Sequence, residues 1–210
     1  MATDRTLLGL GESFDETKKS RFWGRALPLA DADEAAAALA AMRADNPQAT
    51  AIAYAWRVGG AERISDGGEP TGTAGQPLMS LLRGRGVIDV GVFVARIYGG
   101  TPLGTGGLVR AFSTTGQAAI TAAGLAQLVP CKRLQLRAPY ALWDRVEHYA
   151  KTNAVALVDA VFAADITVVA QLLPGQEEGL LAFVAGVGQG NIIVEELETT
   201  LIRQPVEETI

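Results

Sequence analysis

Glycine is concentrated in one stretch of this chain, and that concentration restricts what the surrounding backbone can do. Of the 24 glycines in 210 residues, 12 lie between Ser65 and Phe112. The stretch reads SDGGEPTGTAG, QPLMSLLRGRG, VIDVGVFVARI and YGGTPLGTGGLVRAF. Glycine loses more backbone entropy on folding than any other residue, so such loops indicate positive φ angles or backbone that closely approaches another group.

Both glycine-rich loops lead into segments with helical spacing. Residues 103–107 precede one helix, with Thr105 as the predicted N-cap, and residues 71–75 precede another at 77–83. The first amides of a helix lack intrahelical partners and carry the positive end of the helix dipole. Two such starts near each other predict an anion site. The alternative is that both are ordinary capped turns, in which glycine is common.

The predicted anion ligands are residues of these two loops, through their backbone amides, together with two nearby arginines. They are Gly72, Thr73, Gly75, Arg96, Gly99, Gly100, Gly104, Thr105, Gly106, Gly107 and Arg110. Asp66 and Glu69 are auxiliary candidates, because carboxylates are magnesium ligands. Acidic residues in a Gly-Pro turn are also common simply as turn formers.

Known catalytic and metal-binding patterns are missing from the sequence. His148 is the only histidine and Cys131 the only cysteine, which excludes an HExxH site and a Cys/His metal cluster. There is no GxSxG motif, and neither glycine loop is followed by Lys-Ser or Lys-Thr as in a P-loop. We therefore expect no catalytic residues, no metal and no cofactor.

The N-terminus and the hydropathy pattern predict a cytoplasmic protein. The first residues carry charges at Asp4 and Arg5 and lack the apolar core of a secretory signal. No apolar run reaches the length of a membrane span, so we expect no membrane partner.

Charge is unevenly distributed. Residues 1–130 contain 12 Lys and Arg against 12 Asp and Glu, whereas residues 131–210 contain 6 against 11. Nucleic-acid binding by such an acidic protein requires a local basic patch. Lys18, Lys19, Arg21 and Arg25 form one, although basic side chains also commonly protect the edge of a sheet.

Periodicity predicts an α+β protein with two domains, 1–127 and 128–210. In the first, strands are predicted at 20–29, 49–58 and 87–98, with an alanine-rich helix after the capping-box pattern Asp31-Ala-Asp-Glu34. In the second, the predicted order is strand, helix, strand, strand, helix, strand, with a hairpin around Ala164-Asp165. This is the βαββαβ order of a ferredoxin-like domain.

Three blocks carry a resemblance to a known family. KKSRF (18–22), SDGGEPTGTAGQP (65–77) and RIYGGTPLGTGGLVRAF (96–112) resemble the signature blocks of the IMPACT/YigZ family. The resemblance implies an N-terminal α/β domain with the fold of the second domain of a small-subunit ribosomal protein, which is shared with GHMP kinases. It implies a C-terminal module like a domain of elongation factor G. Eukaryotic members of the family act in translational control by competing for a protein partner, and nucleic-acid binding has been proposed for bacterial ones.

This chain departs from the family pattern where polar groups are usual. Ala51-Ile52-Ala53 replaces a His-Asn-Cys run, Pro102 replaces a lysine, and Gly67 replaces a second aspartate. Loss of reactive side chains with retention of glycine amides and arginines favours a binding surface over an active site.

Two functions remain open from the sequence. The first is a non-enzymatic protein that binds RNA or a ribosome-associated factor and regulates translation. The second is an enzyme or sensor that binds a small phosphorylated ligand at the glycine-rich loops. Glu195, Glu196 and Glu198 would repel a phosphate backbone, so we expect the C-terminal domain to contact a protein partner or a second copy.

Overall fold

The computed structural model describes residues 5–206, which form an α+β fold with antiparallel sheets, as predicted. The strands are β1 (Arg5–Leu7), β2 (Gly11–Thr17), β3 (Ser20–Pro28), β4 (Ala51–Val58), β5 (Ala61–Ser65), β6 (Val90–Ile97), β7 (Leu125–Ala138), β8 (Ala156–Phe162), β9 (Ile166–Leu172) and β10 (Ile193–Pro205). The helices are α1 (Ala32–Asp45), α2 (Gly75–Gly84), α3 (Gly104–Ala123), α4 (Tyr140–Thr152) and α5 (Glu177–Gly188).

The chain divides into two units. Among the described residues, the first comprises 5–128 together with 203–206, and the second comprises Val129–Ile202. The segment 203–206 belongs to the first unit, where the Val206 amide donates to the Leu125 carbonyl at 3.0 Å. None of the helices within residues 5–206 combines the length and the apolar character that crossing a bilayer requires.

The first unit is built around β6. Its sheet has the order β2-β3-β6-β4-β5, and every neighbouring pair is antiparallel. The strand is buried from Val90 to Arg96, as its almost uninterrupted apolar sequence predicts. Because side chains alternate along a strand, Phe93 and Ala95 pack against α1, whereas Val92 and Val94 pack against α2 and α3.

The second unit contains the predicted order of elements. Its strands are arranged β10-β7-β9-β8, and α4 and α5 contribute Val146 and Val184 to one shared core. The hairpin between β8 and β9 closes where the Ala163 amide donates to the Asp165 carbonyl at 3.1 Å. A bulge interrupts β8, and its residue Asp159 has φ of 55°.

Candidate functional site

The amides before α2 are already occupied by a carboxylate of the chain itself. The two Asp66 oxygens accept hydrogen bonds from the amides of Gly72, Ala74 and Gly75 at 2.8–2.9 Å. The Thr73 amide and hydroxyl both donate to the Pro70 carbonyl. The prediction that these amides are free for an external anion is therefore wrong. Here the anion that the helix start favours is Asp66.

Hydrogen bonding keeps Asp66 ionised. Desolvation by the surrounding protein would raise the pKa of this carboxyl, but the amides of Gly72, Gly75 and Ala74 stabilise its charged form and hold the pKa below its ordinary value of 3.8. The side chain thus acts as a permanent negative cap on α2, supplied by a residue nine positions before the helix begins.

Arg96 is likewise engaged inside the protein. Its Nη1 atom donates to both carboxylate oxygens of Glu69 at 2.8 Å, and the two side chains are only 8% and 6% exposed. The guanidinium carbon lies 5.6 Å from the ring centre of Phe22 and 5.3 Å from that of Tyr98. A buried arginine that is paired with a carboxylate of the chain itself is not available to a phosphate in this structure, and these contacts disfavour the predicted ligand role of Arg96.

Ser20 joins this cluster to the second glycine loop. Its hydroxyl oxygen accepts from Arg96 Nη2 at 3.2 Å and from the Gly99 amide at 3.1 Å. A Cβ atom at Gly99 would lie 2.0 Å from the carbonyl carbon of Lys19, so only glycine fits at this position. The three sequence blocks therefore meet in one buried clamp, formed by Ser20, Glu69, Arg96 and Gly99, and the Gly99 amide is not free for a ligand.

Both auxiliary carboxylates are thus used internally, Asp66 by amides and Glu69 by Arg96. Within residues 5–206, no three His, Cys, Asp or Glu side chains are placed to share a metal ion.

The start of α3 differs from that of α2. The helix begins at Gly104 with Leu103 in the N-cap position and no side-chain cap, so the prediction of Thr105 as N-cap is wrong. Gly100, Gly104, Thr105 and Gly106 are exposed. Across the described residues 5–206, no backbone acceptor outside α3 is found for the amides of Gly100 or residues 104–107. These residues, with the half-buried Gly107, stay candidate anion ligands.

Arg110 is exposed one turn into α3, on the same face as Gly106. It forms no ion pair with any residue between 5 and 206. It therefore stays a candidate ligand.

A turn formed by two lysines, called the basic turn below, lies beside this loop. The sequence identifies these lysines as part of a basic patch but not as a turn. Lys18 and Lys19 form the two-residue connection between β2 and β3, where Thr17 pairs with Ser20. Both lysines are exposed, and their backbones adopt the left-handed conformation, with φ of 48° and 67°. Such turns favour Asn-Gly, because a left-handed conformation costs other residues about 1–2 kcal/mol. The two-residue spacing between alternating segments is the signal that could have revealed this turn.

Comparison with known proteins adds family information. The Impact N-terminal domain model matches residues 18–120. A Thermus thermophilus protein described as an IMPACT family member in pol 5'region is 35% identical over 179 residues, which cover 85% of this chain and 98% of that protein. The Escherichia coli IMPACT family member YigZ is 41% identical over 103 residues, or 47% of this chain and 50% of YigZ.

One solved structure is similar to this chain over almost the whole length of both. It is described only as a hypothetical protein, is 27% identical and has a TM-score of 0.59. The match covers 94% of this chain and 98% of the solved one.

Proposed function

This chain belongs to the IMPACT family, and from that membership we propose that it is a cytoplasmic, non-enzymatic protein that binds RNA or the translation machinery and regulates translation. The resemblance of its three blocks to that family implies a role in translational control. We also assign the first unit to the ribosomal-protein-domain-2 (GHMP-kinase-like) fold and the second to the ferredoxin-like fold. The strand order β10-β7-β9-β8, with one helix before β8 and one before β10, supports the second assignment.

The observation that carries the RNA proposal is the basic turn. Lys18 and Lys19 are held in a costly conformation where Asn-Gly would serve the hairpin better. Residues held in a strained backbone conformation cluster at functional sites. The turn packs on Gly99, next to Tyr98, which is 45% exposed. Cations, an aromatic ring and the amides at the start of α3 are the groups that bind phosphates and bases.

The clamp argues against chemistry at the glycine loops. Asp66 and Glu69 are the acidic residues of the signature blocks, and each is committed to a partner within the chain. Asp66 also holds the amides that a phosphate would need at α2. These contacts disfavour the alternative of an enzyme or sensor for a small phosphorylated ligand. A thermal-shift panel of nucleotides and phosphate esters tests that alternative, because a tight ligand raises the melting temperature.

The experiment that tests the RNA proposal is a salt titration. We expect the full chain to bind RNA saturably at low salt. With about three phosphate contacts, the affinity for a single strand should fall about 20-fold between 50 and 200 mM salt. Fluorescence anisotropy of labelled RNA measures this. Absence of saturable binding at low salt would contradict the proposal.

The basic turn gives a prediction in which stability and binding move in opposite directions. Replacing Lys18→Asn together with Lys19→Gly should stabilise the first unit by about 1–2 kcal/mol, because the turn then suits its backbone. The same change should weaken RNA binding about tenfold at low salt, because two cations are removed. Denaturant unfolding and anisotropy give the two readouts.

The matched control keeps the strain and removes the charge. Lys18→Gln with Lys19→Gln should lose RNA affinity without gaining stability. If the Asn-Gly variant binds RNA as tightly as the wild type, the basic turn is not a contact.

For the second unit we propose a protein-contact role. Val161, Ile193 and Leu201 are 52–60% exposed, and Glu195, Glu196 and Glu198 lie on β10, which makes a phosphate backbone an unsuitable partner. Sedimentation of the full chain, alone and with cell extract, tests this role. An unchanged monomeric boundary in both samples would refute it.

A further inference from the structure

An aromatic pair lies at the edge of the first sheet, where Phe14 is exposed and Trp23 is half-buried against the core below α1. Phe14 on the edge strand β2 is the cross-strand partner of Trp23 on β3, and the ring centres are 5.2 Å apart. Phe14 is 57% exposed. The guanidinium of Arg21, on the same face as Trp23, lies 5.5 Å from the centre of the indole. Phe14, Trp23 and Arg21 are called the stacking platform below.

A cleft of about 500 Å³ adjoins the stacking platform. Phe14 and Trp23 form part of its wall, and Met42 and Asn46, in and after the last turn of α1, form another part. A volume of this order accommodates a small planar group. The platform thus offers an exposed aromatic ring beside a space into which a nucleobase fits.

The unpaired cations of this face lie at and beside the basic turn. Strands rise about 3.4 Å per residue, so the basic turn lies roughly 10–15 Å from the aromatic pair. Lys18, Lys19 and Arg21 form no ion pair with any residue of the described range 5–206.

The acidic residues of this face are only partly neutralised. Glu12 and Asp45 share one cation, Arg25, at 2.7 and 3.0 Å, so one negative charge remains in the lining of the cleft. Glu16 lies opposite Arg21 in the strand pair and opposes a phosphate backbone.

We propose that the stacking platform binds an unpaired RNA base while the basic turn holds the flanking phosphates, so that the protein selects single-stranded RNA. This inference rests on the RNA-binding function proposed above. Every base has a π-face that stacks on an aromatic ring, but in a duplex that face is already covered by its neighbours.

The test uses the full chain and two labelled probes, a 12-nucleotide unstructured RNA and the corresponding duplex. We expect the wild type to bind the single strand at least about tenfold more tightly than the duplex. Phe14→Ala should weaken single-strand binding about 5- to 150-fold, the range that loss of one stacked base produces. Phe14→Tyr should retain it. Glu16→Gln should tighten it, because a repulsive charge is removed.

Phe162→Ala is the matched control. Phe162 is 59% exposed and contacts one tryptophan, Trp143, at 5.8 Å between ring centres, but it lies in the second unit. Its substitution should leave RNA affinity unchanged.

Four results would overturn the inference, and they separate it from the function on which it rests. If the wild type binds RNA but Phe14→Ala has no effect, the stacking platform is wrong and RNA binding stands. If the wild type binds neither probe, both fail. If Phe14→Ala weakens single-strand and duplex binding equally, base stacking is refuted. If an unstructured polyglutamate peptide competes as well as single-stranded RNA, the platform is a protein site.

Discussion

Replacing Glu69 by alanine is expected to lower the free energy of unfolding of the first unit by about 3–5 kcal/mol. Arg96 is only 6% exposed. The substitution therefore leaves a buried, charged guanidinium without the carboxylate that pairs with it. Arg96 Nε already lacks a hydrogen-bond acceptor among the described residues, so the pair with Glu69 and the bond to Ser20 satisfy the rest of the group. The rings of Phe22 and Tyr98 attract the cation but do not replace the lost ion pair.

The measurement is denaturant unfolding followed by tryptophan fluorescence. Trp23 and Trp56 report on the first unit, and a Trp143→Phe background removes the signal of the second. Glu62→Ala is the matched control, because Glu62 also pairs with arginines, Arg57 and Arg83, but on the exposed strand β5, and its loss should change stability far less. Adding Arg96→Met to Glu69→Ala should recover part of the loss. Equal effects of Glu69→Ala and Glu62→Ala would contradict the clamp.

The central strand and the first helix were predictable because their signals are local. The run VIDVGVFVARIY has no polar alternation, and β6 is buried on both faces accordingly. The pattern Asp31-Ala-Asp-Glu34 contains its own capping geometry, and Asp31 accepts from the amides of Asp33 and Glu34. In both cases, the signal that predicts the element lies within the element or the residues next to it in the sequence.

Elements at the edge of the sheet escaped prediction for a physical reason. The strands β2 and β5, GESFDET and AERIS, are rich in charged residues and lie at the two edges. An edge strand needs few apolar side chains and tolerates many charges. Its sequence therefore carries little of the signal that identifies a buried strand. The sequence showed the basic patch of Lys18, Lys19 and Arg21, but without β2 it did not place the exposed Phe14 beside Trp23.

Several predicted anion ligands are paired with side chains of the chain itself, which the sequence pattern did not reveal. The sequence shows which glycine amides have no partner within the helix that they begin. It does not show which acceptor elsewhere in the chain binds them. At α2 that acceptor is Asp66, and for Arg96 it is Glu69, 27 residues away. At α3 the described residues provide no such acceptor. The signature blocks thus divide into an internal clamp and an exposed remainder, and only the remainder is available to a ligand.

Replacing Asp66 by alanine is expected to cost about 3 kcal/mol of stability in the first unit, because three amides lose one charged acceptor. Ala74 and Gly75 are buried, so their amides cannot turn to water. Asp66→Asn should cost less, since its amide oxygen still accepts. The measurement is again denaturant unfolding in the Trp143→Phe background. Asp33→Asn is the control, since Asp33 is exposed in the first turn of α1 and no such network depends on its side chain.

The contribution of Asp66 to stability should depend on pH. Because folding lowers the pKa of Asp66 below 3.8, the unfolded chain takes up the proton more readily than the folded one. The carboxylate's stabilisation is therefore complete above about pH 4–5 and is lost as the pH falls through the lowered, folded-state pKa. The stability difference between the wild type and Asp66→Asn should be largest near pH 7 and shrink below pH 4. A difference that is constant with pH would contradict the role of the Asp66 charge at the start of α2.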